Sequence, residues 1–180
     1  MRIIFNAFGL LLMAIATQGC LVFNTVSYEV NLNDDKTGTV DMQVNDIKSD
    51  ALNVSELDED KKRLFDFILE SDDFIQQMKA EGKFISDRKL YTSTGKLNGT
   101  LSFSFNDIST VEGMQYQEPF YFLTLGIEDS VVSTNGEIIV SEGLKRIMWD
   151  NSMKTLKFEM FSADVESGSL VDLTKYFDEN

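Results

Sequence analysis

Residues 25–45, TVSYEVNLNDDKTGTVDMQVN, decide the fold class. Val26, Tyr28, Val30 and Leu32 alternate with Thr25, Ser27, Glu29 and Asn31. A period of two places the apolar side chains on one face of a half-buried strand. Asn33-Asp34-Asp35-Lys36-Thr37-Gly38 is turn chemistry, and Val40, Met42 and Val44 then alternate with Asp41, Gln43 and Asn45. The pair reads as an antiparallel hairpin with one wet face.

Downstream, the period changes. Leu57, Leu64, Phe65 and Ile68, then Phe74, Ile75 and Met78, recur at helical spacing over residues 55–81. Ser55 with Asp58 has the spacing of a capping box in which Asp replaces Glu. Asp58, Glu59 and Asp60 fall in the expected first turn, where the helix dipole favours acids. Ser71-Asp72-Asp73 is a place for a break into two helices, and Gly82 is a stop.

The second half is strand-rich. Leu97, Leu101, Phe103 and Phe105 alternate with polar residues, and Ile108 to Met114 reads as a short irregular or helical piece. Phe120 to Ile127, after the only proline, Pro119, is a nearly continuous apolar run suited to a strand buried on both faces. Asn135-Gly136 between Val131-Val132 and Ile138-Ile139-Val140 is a strong hairpin signal. Lys145 to Trp149 and Leu156 to Phe161, flanking Asp150-Asn151-Ser152, suggest another, and Ser169 to Phe177 a terminal helix. The expected class is α+β, with a mostly antiparallel sheet of about six to eight strands packed against a central helix or helix pair.

Upstream of the hairpin lies a different kind of sequence. Arg2 and the amino terminus give a short positive start, Ile3 to Ala16 is apolar except for Asn6, and Thr17-Gln18-Gly19-Cys20 follows. A basic end, an apolar core of this length and a small residue at the cut are the layout of a secretory signal. A membrane-crossing helix needs roughly 20 apolar residues for about 30 Å of hydrocarbon, more than this run supplies. Cys20 is the only cysteine in the chain, whereas exported domains normally use cysteines in pairs.

Ending at Gly19-Cys20, the stretch resembles the type II (lipobox) signal peptide of bacterial lipoproteins. That resemblance implies cleavage between Gly19 and Cys20, a lipid on the Cys20 sulfur and acylation of the new amino terminus. It divides the chain into a signal peptide, residues 1–19, and one α+β envelope domain, residues 20–180. Leu21 rather than Asp after the cysteine, with no acidic run there, implies a lipid-anchored protein of the outer membrane facing the periplasm, in a host with two membranes. The body resembles small envelope lipoproteins of uncharacterised function. Strand patterning starts so soon after Cys20 that the tether spans at most roughly 20 Å, which holds the domain close to the bilayer.

Composition narrows the chemistry. Loss of residues 1–19 removes one base and no acid, leaving 15 basic against 30 acidic residues, a net charge of −15. Such a surface repels nucleic-acid phosphates, so nucleic acid is excluded as a partner. There is no histidine. Serine–histidine and cysteine–histidine catalysis and histidine-ligated zinc therefore cannot operate. Ser93-Thr94-Gly95-Lys96 fits S-x-x-K and Lys36-Thr37-Gly38 fits K-T-G, two elements of serine β-lactamases. Their order is reversed and no S-D-N lies between them, while Ser86-Asp87-Arg88-Lys89 fits S-x-x-K equally well. Asn31, Asn33 and Asp35 lack the glycine and glutamate of a calcium loop. No catalytic, metal or cofactor residue is therefore assigned, and no cofactor is expected.

Two functions lead, with a carboxylate-based hydrolase a distant third, since 30 acidic residues offer many pairs and nothing singles one out. Phe103, Phe105, Phe120, Tyr121, Phe122, Trp149, Phe158 and Phe161 all fall on expected strands. If they fill the core, the protein is a non-catalytic scaffold or interaction module with an envelope protein partner. If sheet and helix leave an apolar groove, it is a binding module for a lipid or other apolar ligand.

Overall fold

The computed structural model describes residues 21–161 and 170–178; Gly19, Cys20 and the signal-like stretch before them lie outside. The chain runs β1 (Leu21–Val22), β2 (Thr25–Leu32), β3 (Gly38–Asn45) and β4 (Lys48–Ser49), then α1 (Val54–Lys61), a π-helical stretch (Lys62–Glu70) and α2 (Asp72–Ala80). There follow β5 (Lys83–Ser93), β6 (Lys96–Phe105), a 3₁₀ turn (Ile108–Thr110), β7 (Gln115–Gln117), β8 (Phe120–Gly126), β9 (Val131–Thr134), β10 (Glu137–Ser141), β11 (Leu144–Asp150), β12 (Thr155–Phe161), β13 (Val171–Asp172) and α3 (Thr174–Asp178). The class is α+β and mostly antiparallel sheet.

The hairpin of residues 25–45 is the centre of the main sheet. β2 pairs β3 from Thr25 opposite Asn45 to Leu32 opposite Gly38, and the six strands run β5-β6-β3-β2-β12-β9. Its inner face carries Val26, Tyr28, Val30, Val40, Met42, Phe103, Phe105, Leu156 and Phe158. A second sheet, β10-β11-β8-β7, covers part of that face with Tyr121, Leu123, Leu125, Ile147 and Trp149. The helices and a three-stranded sheet, β1-β4-β13, enclose a separate cluster of Leu21, Ile47, Leu64, Phe65, Leu97 and Leu173. Two cores therefore lie side by side, and Val44 packs against both.

Several expectations need correction. Asn135-Gly136 is not a hairpin turn: β9 pairs β12 in the six-stranded sheet, whereas β10 pairs β11 in the four-stranded one. Asn135 makes the corner between them. Its Oδ1 accepts from Trp149 Nε1 at 2.8 Å and Lys157 N at 2.7 Å, and its Nδ2 donates to the Thr155 carbonyl at 2.9 Å. Gly136 follows because a β-carbon there would sit 2.7 Å from both the Met148 carbonyl and Trp149 Nε1. Asp150-Asn151-Ser152 is likewise a crossing between sheets, since β11 pairs β8 and β10 while β12 pairs β2 and β9. The hairpin in this region is β10–β11, turning at Glu142-Gly143, where Gly143 has φ +79°.

β8 is less buried than its composition suggests. Tyr121, Leu123 and Leu125 enter the core, but Phe120 is exposed and the ring of Phe122 is covered by the Arg146 guanidinium. The helix begins two residues earlier than expected. Asn53, not Ser55, accepts from Glu56 N at 3.1 Å, and Glu56 reaches back to Leu52 N at 2.7 Å. The break at Ser71 occurs as expected, its side chain capping α2 through Asp73 N. Ser86 to Lys89 lies within β5. The terminal helix is shorter than residues 169–177, with β13 taking up Val171 and Asp172.

Candidate functional site, an apolar pocket between two cores

The main sheet is longer than the second sheet that covers it, and the helices cover the rest. Where the two cores meet, they do not close. A cavity of about 140 Å³ lies between β2, β3 and β6 on one side and the helices on the other. Val26, Met42, Val44 and Leu101 form its sheet wall, and Leu64, Ile68, Leu69 and Phe74 its helix wall. Leu21 and Phe23 close one side.

Gly99 stands opposite Val44 across β3 and β6 and both line the space; Leu90 and Ile47 pack over the glycine, where a β-carbon would meet them at 3.3 and 3.4 Å. On the facing side, the chain leaves α-helical geometry at Lys62 and continues as π-helix to Glu70. Such wide-turn segments are rare and recur at functional sites. Arg88 fixes the end of this stretch by donating through Nη1 to the carbonyls of Ile68 at 2.9 Å and Ser71 at 3.0 Å.

One pole of the cavity is polar. Tyr28 donates its hydroxyl to Glu112 Oε1 at 2.9 Å, and both residues line the wall. Burial pushes the Tyr28 phenol well above its usual value, and the Glu112 charge and hydrogen bond push it the same way, so it stays a neutral donor. Burial also raises the Glu112 carboxyl, against the pull of the Tyr28 hydrogen bond and the Lys83 charge. Glu112 holds a left-handed backbone, φ +51°, unusual for a residue other than glycine. The rest of the lining is overwhelmingly apolar. A dry apolar cavity of ~150 Å³ accepts a molecule the size of benzene, so this one has room for about six carbons.

A wider groove of about 470 Å³ crosses the outer face of the main sheet, over Ser27, Glu29, Asp41, Gln43, Ser102 and Lys157. Its groups are already engaged with one another, Lys157 with Glu29 at 2.7 Å and Ser102 with Asp41 at 2.6 Å. The apolar pocket is the stronger candidate because its walls gain from being covered.

Of the eight aromatic residues singled out from the sequence, Phe103, Phe105, Tyr121, Trp149 and Phe158 are in the core, and none of the eight lines the pocket. Phe120 and Phe161 are exposed. The pocket walls include Val26, Met42, Val44 and Leu101, apolar positions of alternating strands, and Leu64, Ile68 and Phe74, which recur at helical spacing. Ser93 to Lys96 is the β5–β6 turn, and Lys36-Thr37-Gly38 joins the β2–β3 turn to β3. Asp60, expected in the first helical turn, lies near the end of α1, is fully buried and accepts from Ser49 Oγ at 2.6 Å; burial raises its carboxyl. Among the described residues no cluster of three potential metal ligands occurs, and no helix is long and apolar enough to cross a membrane. No family model, curated protein or solved structure matches the chain.

Proposed function

We propose that the protein is a non-catalytic lipoprotein of the cell envelope, anchored through Cys20, that binds an apolar group in the pocket between its two cores. The observation that carries the binding reading is the 140 Å³ apolar cavity itself. The pocket is partly open to solvent, and covering its apolar walls removes them from water, which favours an occupant. The occupant is about six carbons long within the cavity: the end of an acyl chain, or a compact hydrophobic molecule. The Tyr28–Glu112 pair supplies one polar pole, where an occupant bearing a hydroxyl or carbonyl would be oriented. The anchor reading rests on the lipobox-like Gly19-Cys20 and the lone cysteine.

A second reading, docking of a protein partner, is favoured by one feature. β10 is an edge strand whose residues are all exposed, Ile138, Ile139 and Val140 included. Such an edge offers free backbone donors and acceptors for strand addition.

Native mass spectrometry of protein recovered from its own host tests the binding reading. The expected result is a reproducible added mass that organic solvent extracts. A clean mass with the cavity empty would put strand addition at β10 in front.

A further inference from the structure

We propose that the end of the β1-β4-β13 sheet is the surface that contacts the bilayer, with Leu52, Val54 and Leu170 inserted among the lipids. The inference rests on the lipid-anchor reading of Cys20 and adds an orientation to it.

The topology brings these residues together. β1 runs antiparallel to β4, with Leu21 opposite Ser49, and β13 runs antiparallel to β4, with Val171 opposite the same Ser49. The amino end of β1, the carboxyl end of β4 and the amino end of β13 therefore lie at one end of the small sheet. Cys20 is bonded directly to Leu21, and consecutive α-carbons are about 3.8 Å apart. Leu21 and Val22 are buried, so no slack separates the lipid attachment point from the folded chain.

At this end the chain shows apolar side chains to solvent. Leu52 is 88 % exposed and Val54 74 %, the highest values among the large apolar side chains described, and Leu170, at the amino end of β13, is 37 % exposed. Their exposure is held in place. Ser49 Oγ accepts from Ala51 N and donates to Asp60, Glu56 accepts from Leu52 N, and Asn53 caps α1. The hydrogen bonds of the turn stabilise the fold, but the Leu52 and Val54 side chains that it presents bury little in the isolated chain. Beside a lipid anchor they have a partner, the acyl region of the membrane. The occupant is the uncharged interior of the interface rather than anionic headgroups, because Asp50 and Glu56 lie in the same loop and helix start.

The orientation has a consequence for the pocket. Leu21 also lines the cavity, so a membrane at this end lies beside the pocket wall. An apolar occupant passing between the two would avoid bulk water.

The test places an indole at position 52. Leu52→Trp is expressed with its own signal in a lipidating bacterial host, and the intact mass reads whether Cys20 carries lipid. Lipidated protein is reconstituted directly into phosphatidylcholine vesicles with brominated acyl chains. Protein without lipid is first coupled through the Cys20 thiol to a maleimide-headgroup phospholipid. Trp149 is buried, and its signal is subtracted using the parent chain. Asp34→Trp is the control, at the β2–β3 turn, beyond the far end of β2, a strand of eight residues or about 26 Å. The expected result is a blue-shifted emission from the Leu52→Trp indole, quenched at least threefold by bromine, with the Asp34→Trp indole unquenched. Emission from Leu52→Trp as solvent-exposed and unquenched as that from Asp34→Trp would overturn the orientation, whichever way the lipid was attached. An unlipidated native Cys20 would instead defeat the anchor reading, while the coupled material still decides the orientation.

Discussion

Val44→Phe is the substitution that asks most of the pocket. Val44 lies on β3 between the two cores, its cross-strand neighbour on β6 is Gly99, and both line the cavity. The exchange adds four side-chain carbons. Taking six carbons of benzene as filling ~150 Å³, four fill about 100 Å³, roughly two-thirds of the 140 Å³ present. At ~24 cal/mol per Å³, a ring that fits would recover about 2 kcal/mol. Strain from imperfect fit costs ~1–3 kcal/mol, so the net change in stability lies between about −1 and +1 kcal/mol. The effect on binding is not balanced in this way. Thermal unfolding in the presence and absence of benzene separates the two. Benzene at about ten times its dissociation constant stabilises the parent by about 1.4 kcal/mol, which is roughly 3–6 °C in a chain of this size. Val44→Phe should unfold near the parent temperature and show no rise with benzene. An equal rise in both proteins would refute the assignment of the cavity as the binding site.

Three further expectations follow from buried polar groups and one tight corner. Glu112→Gln keeps an acceptor for Tyr28 and removes a buried charge; because burial raises the Glu112 carboxyl in the fold, the parent gains stability as pH falls through that raised value towards the unfolded one near about 4.3. The variant should therefore be the more stable near pH ~7, with the difference closing by about pH 4 in denaturant titrations; a difference that widens on acidification would contradict this. Ser49→Ala strips Asp60 of its hydroxyl donor and Ala51 N of its acceptor, and should cost about 2–3 kcal/mol by urea unfolding. Gly136→Ala forces a β-carbon onto the Met148 carbonyl and the Trp149 indole, and should cost about 1–3 kcal/mol and shift Trp149 fluorescence. Unchanged fluorescence and midpoint would show that the corner relaxes freely.

Local patterns in this sequence are legible wherever one element decides its own form. Residues 25–45 alternate cleanly, and β2 and β3 pair as the expected antiparallel hairpin, in a register held because a one-residue slip would turn Val26, Tyr28 and Val30 out of the core. The helical segment is equally plain, and Ser71 breaks it as expected. Partner choice is another matter. Asn135-Gly136 carries the composition of a tight hairpin, yet β9 and β10 join different sheets because Asn135 is bonded to Trp149 and to β12. Those partners lie 14 and 22 residues away, beyond any local rule. β5 escapes a sequence reading for a related reason: as an edge strand with polar residues such as Asp87 and Lys89, it lacks the apolar face that marks β6.

The pocket is only half legible. Its aliphatic wall residues read as core, and they are core-like in every local respect. What makes a cavity of them is the mismatch of two packed clusters at Gly99 and Val44, a property of tertiary spacing. Gly99, inside the alternating run of β6, is the available signal, since a glycine in a strand interior marks a bulge or a close approach. Asp60 gives no such sign, because an acid in a run of acids looks solvated until Ser49 is found beside it.

The most direct test of the account is diffraction from crystals of the protein pressurised with xenon, which enters dry apolar cavities. The account expects a xenon peak enclosed by Val44, Leu64, Gly99 and Leu101, absent from crystals of Val44→Phe. Ordered waters filling that space, or side chains closed over it with no xenon, would contradict the claim that the two cores leave an apolar binding pocket.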